Sequence, residues 1–123
     1  MLLPIAPDLS RRISLDNHIA LEVLRSGAAE MYHLGSMAQA TYLTWSLCEA
    51  GYGIARDGLF REMDETIARC RGAVLDSGVW RIDDHAYALL CEVLTLHDRQ
   101  LATASVSELM LANDRLKKLS AEG

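Results

Sequence analysis

The chain is 123 residues long, the size of a single domain. Half of its residues are hydrophobic and 24% are charged, so it has material for a buried core and is not a disordered chain. A net charge of −5 argues against a general nucleic-acid binder, whose footprint is a basic surface.

Residues 1–12 read as an extended lead-in, because Pro4 and Pro7 fix their own backbone and push Leu3 and Ala6 away from helix. The basic pair Arg11-Arg12 follows the apolar residues instead of preceding them. The segment therefore does not read as a secretory leader, and the cytoplasm is the expected compartment. Leu2, Leu3 and Ile5 are too apolar to favour water and are expected to lie along the bundle or against a partner. Ser14 reads as the N-cap of a first helix over about residues 15–26. Its expected apolar face is Leu15, Ile19 and Val23, with Ala20 and Leu24 beside it. Ser26-Gly27 ends or bends it.

The stretch from Met31 to Cys48 contains no Asp, Glu, Lys or Arg and reads as the central helix. Met31, Leu34, Met37, Ala38, Tyr42, Trp45 and Cys48 fall on one arc, and Tyr32, Ala40, Leu43 and Leu47 on another. A helix apolar on two sides is buried on two sides. Gly35, Ser36 and Ala38 are expected to let a neighbouring helix approach closely. A membrane span is disfavoured because His33, Gln39 and several hydroxyls interrupt the run.

Gly51-Tyr52-Gly53 reads as a connector whose Tyr packs back on the bundle. A third helix over about residues 57–75 carries one stripe of Leu59, Phe60, Met63, Ile67, Cys70 and Val74. Its outer face offers Asp57–Arg61, Arg61–Glu65 and Glu65–Arg69 as ion pairs one turn apart. Asp76-Ser77-Gly78 is a stop, and Trp80 anchors the link that follows. Asp83 is the expected N-cap of a fourth helix over about residues 84–102, apolar on more than one side. Ser105 and Glu108 have capping-box spacing, opening a last helix that runs to about Leu119. The whole reads as an all-α antiparallel bundle of four helices plus one, without a sheet, occupying residues 13–123. The three cysteines, Cys48, Cys70 and Cys91, sit on apolar faces and read as reduced core thiols.

Chemistry is sparse. Carboxylate-bridged di-metal bundles use two Glu-x-x-His motifs, and this chain has one, Glu30-x-x-His33. His18 and Glu22 read as an ordinary pair one turn apart, and Asp83-Asp84-His85 as a helix start. No metal or cofactor is therefore expected. A nucleophilic cysteine needs a nearby His and an electropositive setting, and nothing local supplies them. Enzymatic activity is not expected. A helix-turn-helix could lie only in the C-terminal segment, where Arg115, Lys117 and Lys118 cluster. Glu108, Asp114 and Glu122 cancel them and no glycine divides the segment, so one helix is the better reading.

The segments RRISLDNHIALEVLRSG, YLTWSLCEAGYG, LFREMDETIARC, the Gly-x-Trp-Arg-Ile-Asp link and LHDRQLA together span about residues 10–116. In them the chain resembles a group of short proteobacterial proteins of Burkholderia-like genomes, plasmids and integrative elements. That group is commonly labelled "Fis family transcriptional regulator". The resemblance implies a small mobile-element accessory protein that binds another macromolecule.

The expected function is binding to a protein partner, or self-association, in a regulatory or inhibitory role towards a host system. The expected contacts are Leu2, Leu3 and Ile5 together with Leu109 and Leu116 of the last helix. The alternative implied by the label is a dimeric DNA-binding regulator presenting Arg115, Lys117 and Lys118 of both copies. A weaker alternative is a small apolar ligand held between the central and fourth helices.

Overall fold

The computed structural model describes residues 3–122, with side-chain surroundings through residue 119. The elements are α1 (Pro7–Ser26), α2 (Met31–Glu49), α3 (Leu59–Ser77), α4 (Asp84–Thr103) and α5 (Val106–Glu122). No sheet forms among the described residues; one isolated antiparallel bridge joins Pro4 to Ser105. The class is all-α, and the helices pack against one another as a bundle.

The extended lead-in is shorter than the sequence suggests. Pro7 does not delay α1 but opens it, occupying the first turn. A proline is favoured there because its missing N–H would have had no intrahelical partner and its φ already suits the helix. Ser14 consequently lies inside α1 and is not its cap. At the other end Gly27 adopts φ +84, the left-handed conformation that closes a helix. The Leu24 carbonyl near that end accepts a hydrogen bond of 3.3 Å from the Ile82 backbone N–H.

Helix α2 is the axis of the molecule, packing against α1, α3, α4 and α5. The larger core cluster joins Leu21 and Leu24 of α1, Leu34 and Met37 of α2, Leu59 and Met63 of α3, and Leu90 and Leu94 of α4. The smaller one lies at the opposite end and joins Ile5, Leu47, Leu101, Ala104, Leu109 and Ala112. Tyr52 packs against this second cluster, as its connector was expected to do, and Trp80 packs against the first. Gly35 does not serve a close helix approach: a Cβ built on it meets nothing within 4 Å.

Several local signals hold. Asp83 caps α4, its carboxylate accepting from the Ala86 N–H at 2.9 Å. The Ser105 hydroxyl accepts from the Glu108 N–H at 3.2 Å at the start of α5. The ion pairs along α3 do not form as spaced. Arg56 reaches Glu62 and, on α4, Glu92, while Arg69 reaches Asp83. Long guanidinium arms find partners on neighbouring elements, which ties α3 to α4. The Arg69 hydrogen bond, with the Ala86 N–H, holds the Asp83 carboxyl below the usual carboxylate range.

Candidate functional site

A groove opens along the contact between α2 and α3. On α2 the cause lies in Thr41 and Thr44. Both are buried, because each hydroxyl donates to the carbonyl one turn back, to Met37 at 2.8 Å and to Ala40 at 2.7 Å. With small self-satisfied side chains turned inward, Tyr42 and Trp45 are turned outward. Their rings sit 5.6 Å apart at 45°. From α3, Phe60 and Ile67 face them, and Ala38 and Thr41 complete the lining. The result is a groove of about 600 Å³ rimmed by Arg61, Asp64 and Arg71. A second depression of about 440 Å³ continues from Trp45, Phe60 and Arg61 along the loop before α3. In that loop Ile54 is 94% exposed.

The rim is charged. Arg61, Asp64 and Arg71, like Arg12, Arg25, Arg81 and Arg99, form no salt bridge among the described residues. Two guanidiniums therefore flank an aromatic groove without an internal counter-ion.

The residues weighed for chemistry are otherwise employed. His33 and Glu30 make a reciprocal cap at the start of α2, the Glu30 N–H donating to His33 Nδ1 at 2.8 Å. That geometry accounts for the Glu-x-x-His spacing. His18 pairs with Asp98 on α4 at 2.9 Å and not with Glu22, which accepts from the Tyr87 hydroxyl. No group of three or more His, Cys, Asp or Glu side chains able to hold a metal occurs among the described residues. Cys48, Cys70 and Cys91 are free. Burial pushes the Cys48 and Cys70 thiols up, which disfavours the thiolate that a nucleophile needs.

His97 and Gln100 form a buried polar node on α4. Gln100 Nε2 donates to the Thr44 and Tyr52 carbonyls at 2.9 Å each, and its Oε1 lies 3.3 Å from His97 Nδ1. This arrangement puts the imidazole proton on Nδ1. Burial lowers the His97 pKa from the ordinary 6.5, outweighing Gln100 and Asp98, which act the other way. The folded chain thus keeps His97 neutral where the unfolded chain begins to protonate it. Stability from this group is complete above the unfolded pKa and falls as pH drops below it, because the unfolded state then binds more protons. Thermal midpoints measured from about pH 7 to about pH 5 should fall more steeply for the native chain than for His97→Asn. Equal slopes would remove His97 as the cause.

The expected contact residues divide. Ile5 and Leu109 are buried in the chain's own smaller cluster, so neither is a free docking surface. The lead-in lies across the start of α5, where the Val106 N–H donates to the Leu3 carbonyl at 2.9 Å. Leu3 is 68% exposed, Leu116 is half-buried, and Leu2 falls outside the described residues. The segment bearing Arg115, Lys117 and Lys118 is one uninterrupted helix. Arg115 donates to the buried Ser46 hydroxyl on α2 at 3.1 Å, while Lys117 and Lys118 are exposed. The interface between α2 and α4, expected to hold an apolar ligand, is occupied by the fully buried Met37, Leu90 and Leu94. The cavity lies on the other side of α2.

Sequence reasoning placed Tyr42, Trp45, Phe60 and Ile67 in core stripes. The available signal was an excess: α2 and α3 carry more large apolar side chains than one mutual contact holds. Compared with known proteins, the chain matches no family model, no curated protein and no solved structure. No helix among the described residues is long and apolar enough to cross a membrane.

Proposed function

We propose that this protein acts without catalysis, by binding another protein through the groove between α2 and α3. The observation that carries the reading is a groove of about 600 Å³ lined by Tyr42, Trp45, Phe60 and Ile67 and rimmed by two arginines without salt-bridge partners among the described residues. Aromatic and arginine side chains dominate the energetics of protein interfaces. A groove between two helices is also a recurring seat for a third. The reading agrees with a regulatory accessory role, as the sequence resemblance suggests, and moves the contact from the chain's first residues and α5 to α2 and α3.

The test is site-specific photo-crosslinking in cells of the source. A benzoylphenylalanine is placed at Tyr42 or Ile67, with Lys118 as a control position on α5. Adducts to one protein from the two groove positions, and none from the control, are expected. Adducts from the control alone, or from no position, would overturn the assignment. A basic-face adduct to DNA-associated protein at Lys118 would direct attention back to the regulator reading.

A further inference from the structure

The rim of the groove carries information about its occupant. Arg61, Asp64, Ala68 and Arg71 line it at successive turns of α3. At 1.5 Å per residue, the two arginines stand about 15 Å apart along the helix axis. We infer that the partner segment is an amphipathic helix with two acidic residues ten or eleven positions apart, its apolar face between them, and no acid at the middle. This rests on the groove being the binding surface.

Each part of that description has a cause. The segment is helical because, beyond the first turn of α3, the backbone groups along the groove are bonded within α2 and α3 and cannot pair with it. An extended peptide would bring its N–H and C=O groups into an apolar groove unsatisfied, whereas a helix satisfies its own. Its apolar face would carry anchors at i, i+3, i+4 and i+7, seated on Tyr42, Trp45, Phe60 and Ile67. Its acids are set by Arg61 and Arg71, which make no salt bridge among the described residues and can take a carboxylate bidentately. A helix lying along α3 repeats the same 1.5 Å rise, so ten or eleven of its residues span the distance between the arginines. Asp64, between them on the same rim, repels a uniformly acidic helix and tolerates a lysine or a neutral residue opposite.

The chain's overall charge of −5 works against attraction of an acidic partner from afar. Selection therefore comes from close pairing in the groove. Such pairing at partly covered positions is screened less than surface charge, so the preference should persist at physiological ionic strength.

The experiment uses the full chain and two synthetic 20-residue helical peptides with one shared apolar face. One carries a Glu pair ten positions apart and the other a Lys pair at those positions. Binding is read by anisotropy of the labelled peptide at physiological salt, with the native chain and an Arg61→Glu, Arg71→Glu double variant. The native chain should bind the Glu peptide about tenfold more tightly than the Lys peptide, and the double variant should reverse the order. Both arginines are exposed and without salt bridges among the described residues, so the variant should keep its helical circular dichroism. Equal affinity for both peptides, or preference of the native chain for Lys, would overturn the inference while leaving the groove as a binding surface. Binding of neither peptide would overturn it too, and crosslinks from Tyr42 would then show whether the groove itself survives. Self-association abolished by the double variant would make a second copy the occupant, again against the inference.

Discussion

Replacing Gln100 with leucine should lower the unfolding free energy by about 3 kcal/mol, although the two side chains are similar in size. The amide is the one group that meets α2, the loop after it and His97 at once. Leucine leaves the Tyr52 carbonyl and His97 Nδ1–H without their partners, and a buried polar group so stranded costs about 1–3 kcal/mol. The Thr44 carbonyl loses less, because a helix carbonyl keeps its intrahelical bond. Gln100→Glu tests the polarity separately. It is nearly isosteric but presents an acceptor to two carbonyls, so it should destabilise at least as much as leucine at neutral pH. Urea denaturation at fixed pH measures both. A loss below about 1 kcal/mol for leucine would mean that the node is not what holds the loop to the bundle.

The second large effect contrasts two leucines on one helix. Leu21 is 1% exposed and belongs to the larger cluster, while Leu15 is 59% exposed and lies about a third of a turn away around α1. Leu21→Ala removes buried methyl groups and leaves a cavity, and should cost about 2–5 kcal/mol. Leu15→Ala should stay within about 0.5 kcal/mol of the native value. Matched losses would show that α1 is rotated relative to its placement here. The contrast is informative because the sequence alone favours Leu15 as a core residue.

That reversal shows where the sequence stops being legible. Helix α1 carries two adjoining apolar stripes, Leu15-Ile19-Val23 and Ala20-Leu21-Leu24. Each has helical spacing, and periodicity alone does not choose between them. The choice is made by α2 and α4, which receive the second stripe and leave Ile19 52% exposed. Punctuation, by contrast, is local and was readable: Gly27 and Gly78 close helices, Asp83 and Ser105 open them, and the five elements follow. The early start of α1 was missed because proline signals a helix start as well as a break, depending on the position it occupies. The groove was illegible for a related reason. Polarity normally reports exposure, but Thr41 and Thr44 satisfy their hydroxyls on their own helix and go inside, displacing Tyr42 and Trp45 outward. The arginine pairings likewise depend on which element lies across from α3, which spacing within the helix does not encode.

The unequal division of the core also sets an order in time. Residues of the larger cluster lie between Ala20 and Leu96, so its contacts close shorter loops of chain. The smaller cluster joins Ile5 to Leu109 and Ala112, nearly the whole described length apart. A folding chain can therefore assemble α1 to α4 while Leu43 and Leu47 of α2 wait for α5 to cover them. During that interval the half-folded protein presents apolar surface at the end of the bundle opposite its main core.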